Sequence, residues 1–258
     1  MLGPRIALRI DALRMPLRQS FEFAARMSAK YIELDGRNQV RASELTETGI
    51  RQLKKLLDDY DLRVAAIRFQ TRRGYDNPND LEQRVDATKA TMQLAYRLGT
   101  NIVINNIGHV PEDSESQAWQ DLQSVIHDLG RHGARVGTFL AAETGSEPGE
   151  RLGKMLDGSD DGFVAVALNP GQLIINRESV PEAITALKTK IQVVCAVDGV
   201  LDLAAGRGIA VPLGQGTADF PELLGMLENV EYRGRLIVGR AESTPVELHD
   251  GVQYLNSL

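Results

Sequence analysis

Eight short runs rich in β-branched residues, each followed by a stretch of helical periodicity, limit what this chain can fold into. They lie at 5–10, 31–34, 63–69, 101–105, 135–142, 163–168, 191–197 and 235–238. Their mean spacing of about 33 residues is the length of one strand–helix unit. The runs at 163–168 and 191–197 are apolar at both parities, as strands must be when helices cover one side and a packed interior the other. Between runs, Ile50, Leu53, Leu56 and Leu57 share one helical face, and so do Leu122, Val125, Ile126 and Leu129. Asp219 before Pro221 and Glu222, and Ser179 before Pro181, supply helix-start signals that satisfy orphan amides. Strict alternation with no Pro/Gly-rich linker predicts an α/β fold, a (β/α)8 TIM barrel, with 1–258 forming one domain. A doubly wound sheet would need a glycine-rich phosphate turn after an early strand, and none follows the first two. Two connections, 72–79 and 199–218, are long and fall at carboxyl ends of strands.

Composition narrows the partners. Thirty-five acidic against 29 basic residues give a net charge of −6, which argues against a nucleic-acid partner that needs counterion displacement. The single cysteine, Cys195, excludes a disulfide framework and a thiolate zinc cluster. No apolar run approaches the roughly 18 residues of a membrane span. Arg5, Arg9, Asp11 and Arg14 interrupt any signal-peptide core. These features predict a cytoplasmic protein without membrane contact.

In a barrel, side chains at the carboxyl ends of strands and in the loops beyond them can meet a ligand together. That rule selects Glu33, Arg68, Gln70, Arg72, Arg73, Asn105, Asn106, His109, Glu143, Asn169, Gln172, Cys195, Asp198 and Arg240. Schiff-base chemistry would need a lysine there, but all seven lysines fall on helices or just before strands. Cys195 lies within Val193–Val197 and reads as a small buried hydrophobe. His127 and His132 fall on a predicted helix and His249 near the C-terminus, which leaves His109 as the one histidine after a strand. Glu143 ends an otherwise apolar run, so its carboxylate emerges into the mouth and requires a hydrogen bond, an ion pair or a metal. Arg68 and Arg240 are its candidate ion partners. Arg72, Arg73 and Tyr75 form either a lid over an anionic ligand or a solvated loop.

Several motifs then resemble one family. They are Tyr-Ile-Glu-Leu around Glu33, the Leu98-Gly99-Thr100 turn, Ala-Ala-Glu-Thr ending at Thr144, Asn-Pro-Gly-Gln from Asn169 to Gln172, and Pro212 to Phe220. Their order and spacing resemble the sugar phosphate isomerase/epimerase family with its xylose-isomerase-like barrel, across nearly the whole chain. The resemblance implies a divalent metal (Mn, Mg, Co or Zn) held by Glu, Asp, His and Glu from strands five to eight. Two glutamates would then shuttle a proton through a metal-stabilised enediolate. The same resemblance places those ligands at Glu143, Asn169, Cys195 and Gly239, so Glu143 alone is retained and the second acid–base carboxylate is missing. Glu242 lies three residues beyond Gly239, at the wrong strand parity to replace it. One carboxylate is too little charge for a hard divalent ion, and no metal cofactor is expected.

The predicted ligand is a small carbohydrate. Glu143 is the expected catalytic group, and Glu33, Arg68, Asn105, His109, Asn169, Gln172, Asp198 and Arg240 are its expected contacts. Asp198 could instead cap the next turn, and Glu33 could act through an arginine. The Gly214 and Gly216 loop could bind phosphate through backbone amides before the helix capped by Asp219. Metal-free isomerisation or epimerisation with Glu143 as base is one expectation. Binding of a carbohydrate or partner without turnover is the alternative. A homodimer or homotetramer is the expected assembly.

Overall fold

The computed structural model describes residues 5–158, 162–202 and 206–258. Eight parallel strands close a barrel. In chain order they are β1 (Ile6–Arg9), β2 (Tyr31–Asp35), β3 (Arg63–Arg68), β4 (Ile102–Asn105), β5 (Phe139–Glu143), β6 (Ala165–Leu168), β7 (Ile191–Ala196) and β10 (Arg235–Val238). Each pairs with its neighbour in sequence. Closure comes from β1 on β10, with Ile6 opposite Leu236 and Leu8 opposite Val238. The outer ring is α1 (Leu17–Arg26), α2 (Glu47–Asp59), α3 (Leu81–Arg97), α4 (Gln117–Val136), α5 (Gly149–Leu156), α6 (Pro170–Ile175), α7 (Val180–Leu187), α8 (Phe220–Asn229) and α9 (Pro245–Ser257). The expected (β/α)8 barrel is the observed fold.

The predicted start signals act as caps. Ser179 accepts from the Glu182 amide and Asp219 from the Glu222 amide, so each helix end regains one of its orphan donors. The strand bounds shift by a residue or two, and one shifts further. Arg135 and Val136, expected in the fifth strand, finish α4, because Gly137 at φ 84° takes the left-handed stop position and Phe139 begins the strand. The long segment after β7 is also not bare loop. It carries an antiparallel hairpin, β8 (Asp198–Val200) with β9 (Ile209–Val211).

Strand parity divides the core into two layers. Outward positions such as Leu8, Leu34, Val103, Leu140 and Val166 pack against the helices. Inward positions form a narrow plug of Ala7, Ala66, Ile104, Ala141, Ala167, Val193 and Ile237. Four alanines among these seven leave volume at the barrel axis. The next inward position on each strand, one step nearer the carboxyl end, is therefore where long polar side chains can converge.

Candidate functional site

Six of those next positions carry the polar or sulfur side chains Arg9 on β1, Glu33 on β2, Arg68 on β3, Glu143 on β5, Asn169 after β6 and Cys195 on β7. Arg68 is their centre. Its Nε donates to Glu33 Oε1 at 2.9 Å, its Nη1 to Glu143 Oε2 at 2.7 Å, and its Nη2 to Cys195 Sγ at 3.1 Å. Asn169 Nδ2 donates to the other Glu143 oxygen at 2.9 Å, and Gln70 Nε2 reaches Oε2 at 3.4 Å. Arg9 stands 3.6 Å from Glu33 and forms a two-point pair with Asp11 at 2.9 and 3.0 Å. A guanidinium can serve three elements at once because its donors form a rigid planar fork.

The two carboxyls of this cluster are tuned in opposite directions. Burial penalises the Glu143 anion, but the Arg68 charge and hydrogen bonds from Asn169 and Arg68 outweigh it and hold the carboxyl below the usual range. Glu33 is fully enclosed, and there burial prevails over Arg68 and Arg9, so its carboxyl lies above the usual range. Glu33 Oε2 is buried without a hydrogen-bond partner. Burial likewise pushes the Cys195 thiol up, reinforced by Glu143 and Glu33 and opposed by Arg68, so the sulfur stays a neutral acceptor.

The structure thus brings Glu33, Arg68, Gln70, Glu143, Asn169 and Cys195 together. The other sequence candidates are placed elsewhere. Asn105 has the outward parity of Val103, and it accepts from the Thr71 amide and donates to Tyr75 Oη, 2.7 Å away. Tyr75 is itself buried and bonded to Thr88 of α3, so it is a plug between barrel and helix rather than a lid residue. Arg72, Arg73 and His109 are exposed, and Gln172 is half-buried with its amide capping into Asn169. Arg240 pairs with Glu247 at 2.7 Å at the start of α9. Asp198, also at outward parity, is fully buried. It accepts from the amides of Gly199, Gly214, Gly216 and Ala218 at 2.8–3.1 Å. The two glycine amides suggested for a phosphate are therefore occupied by a carboxylate of the chain itself, which a phosphate would have to displace.

Arg9 and Asp11 were not among the site residues expected from the sequence, although Arg9 shares the inward parity of Ala7. Another acid outside the cluster is Glu147, buried in the turn between β5 and α5, with Ser146 Oγ donating to it at 3.3 Å. Burial pushes its carboxyl up to about 7, with partial relief from Ser146, its own amide and Arg151. A raised acid stabilises the fold below the ordinary carboxyl range, and that contribution is lost as pH rises through about 7. The chain is expected to lose roughly 2 kcal/mol between pH 5.5 and 8 at this residue, and Glu147→Gln to flatten the profile. Urea melts of both proteins at the two pH values check it; parallel profiles would refute the assignment.

A cavity of about 740 Å³ opens at the opposite end of the barrel, among the strand starts Tyr31, Ile102, Ile191 and Arg235. It contains none of the clustered residues. In this architecture the carboxyl end carries function and the amino end stability.

The chain therefore closes a (β/α)8 barrel with a charged, amide-lined tier at its carboxyl mouth. The chain belongs to the xylose isomerase-like TIM barrel family, whose sequence model matches residues 21–258. A xylose isomerase domain protein from Planctomyces limnophilus is similar in structure, with a TM-score of 0.86 at 19% identity over 98% of this chain and 95% of that one. A D-tagatose 3-epimerase-like protein matches with a TM-score of 0.80 at 16% identity, over 98% and 96%. A xylose isomerase-like barrel protein from Mycobacterium smegmatis, in complex with magnesium, matches with 0.76 at 16%, over 99% and 96%. No curated protein matches the sequence significantly. Among the described residues no helix is long and apolar enough to cross a membrane.

The donor set here does not suit such an ion. Both oxygens of Glu143 already accept hydrogen bonds, Asn169 turns its N–H₂ toward the site, and Gly239 offers no side-chain ligand. Among the described residues, no group of three His, Cys, Asp or Glu side chains is arranged to hold a metal.

Proposed function

We propose that the barrel mouth is a metal-independent binding site for a small carbohydrate. The observation that carries this reading is Glu143: a carboxylate kept ionised at the mouth of a sugar-isomerase-like barrel, with Arg68, Asn169 and Gln70 around it. A fixed carboxylate accepts sugar hydroxyls. Arg68 and the amides donate to hydroxyl or carbonyl oxygens, so the set suits a polyol with both kinds of group.

A second reading, metal-free isomerisation or epimerisation with Glu143 as base, is favoured by one specific feature. Glu143 is deprotonated beside a cation that would stabilise charge developing on a carbonyl oxygen. Against it, a carboxylate whose acidity has been increased is a weaker base.

Titration calorimetry of ketoses and aldoses, with and without EDTA, run beside an epimerisation assay, tests both readings. Binding unchanged by EDTA is expected, with about 10- to 30-fold weaker affinity in Glu143→Gln from the loss of a charge-assisted hydrogen bond. Turnover abolished in the same variant selects the second reading. No binding to any sugar in the panel sinks the proposal.

A further inference from the structure

The three side chains bonded to Arg68 come from different strands, and all are enclosed. Glu33 is wholly buried, and Glu143, Cys195 and Arg68 itself expose 7%, 1% and 5% of their surface. Two carboxylates and a sulfur surrounding one buried positive group is the composition of a cation site. Here the cation belongs to the chain. Glu143 and Cys195 also stand at two of the four positions where the family resemblance puts metal ligands, and Arg68 is hydrogen-bonded to both.

We infer that Arg68 is a built-in cation that takes the place of a divalent metal ion and keeps one out. Three of its five N–H groups are used by Glu33, Glu143 and Cys195, which leaves one on each Nη. Those two are what a ligand oxygen would meet in place of a Lewis-acidic ion. The arrangement also explains the altered ligand positions. Asn169 presents a donor to Glu143, which suits a site whose positive charge is already supplied and would be wrong for a residue coordinating a cation. With the guanidinium removed, Glu33, Glu143 and Cys195 would face one another across a gap. Two carboxylates and a thiol form a mixed donor set that zinc tolerates. The inference goes beyond the carbohydrate reading and holds whether or not the ligand is a sugar.

The test is zinc binding to the wild type, Arg68→Met and the double variant Arg68→Met with Glu143→Gln, read by calorimetry and by the shift in Tm between EDTA and zinc chloride. Expected are no stoichiometric metal and no Tm shift in the wild type. Arg68→Met should bind zinc at least 30-fold more tightly, and the second substitution should lower that affinity at least 10-fold. A wild type that holds about one equivalent of zinc or manganese overturns the inference, and so does an Arg68→Met protein that binds zinc no better than the wild type. If Arg68→Met does not fold, the wild type decides alone through the NMR signal of the Arg68 Nε–H. That proton is expected to stay slow to exchange and unmoved by millimolar zinc, and its displacement on adding zinc would refute the exclusion. Sugar titrations of the same wild-type sample keep this outcome separate from the fate of the carbohydrate proposal.

Discussion

Replacing Asp198 by alanine is expected to cost about 4 kcal/mol and to release the segment that returns from the hairpin to α8. Four backbone amides, those of Gly199, Gly214, Gly216 and Ala218, converge on this one buried carboxylate. A hydrogen bond to a charged group contributes about 1.5–3 kcal/mol, but bonds that share an acceptor do not add. Amides near the surface also recover some energy from water, which brings the sum down to the stated figure. The approach is close: a Cβ built on Gly216 would lie 2.1 Å from Asp198 Oδ1, so the backbone is wrapped tightly onto the acid. Asp198→Asn should fall between wild type and alanine, since its amide nitrogen would face donors rather than accept from them. Urea melts give the energies. Hydrogen exchange at Gly214, Gly216 and Ala218 should quicken in the alanine variant while β1–β7 amides stay protected. A loss below 1 kcal/mol would show that the carboxylate is a spectator of this loop.

Period-two reasoning read the barrel well and the mouth only in part, and the division has a physical cause. Eight apolar runs at a regular interval leave few other ways to bury both strand faces, so the fold was legible from pattern alone. Glu143 was legible too, since a charged residue ending an apolar strand must emerge somewhere polar. Parity, applied residue by residue, would also have turned Asn105 and Asp198 outward, because they alternate with Ile104 and Val197, which face the axis. It would equally have brought in Arg9, two residues beyond the inward Ala7. What no local pattern carries is the reach of Arg68 across the axis. That depends on alanines contributed by other strands, Ala141 and Ala167 among them, which are remote in sequence and adjacent only once the barrel closes. The strand start misplaced at Arg135 is different in kind. Gly137 falls inside that run and takes the left-handed φ that ends α4.

Glu33→Ala is expected to cost 3–5 kcal/mol, a Tm lower by roughly 8–16 °C for a domain of this size, whereas Glu33→Gln should cost about 1 kcal/mol or less. The contrast follows from what Glu33 does. Its Oε1 receives Arg68 Nε at 2.9 Å with Arg9 close by, while Oε2 is buried without a hydrogen-bond partner. Alanine removes the acceptor and leaves a hole beside two enclosed guanidinium groups, one with only Glu143 and Cys195 to bond and the other with Asp11. Glutamine keeps the volume and an oxygen for Arg68. It also avoids the burial of a negative charge, the same burial that lifts the Glu33 carboxyl above the ordinary range. For such an acid the stabilising contribution is present below the ordinary carboxyl pKa and is lost as pH rises through the folded value. The gap between wild type and Glu33→Gln should therefore narrow, or favour glutamine, as pH is raised from 5 to 8. Thermal melts of the three proteins across that range decide the matter. If glutamine proves as damaging as alanine at every pH, the negative charge of Glu33, and not merely its acceptor, holds Arg68 at the axis.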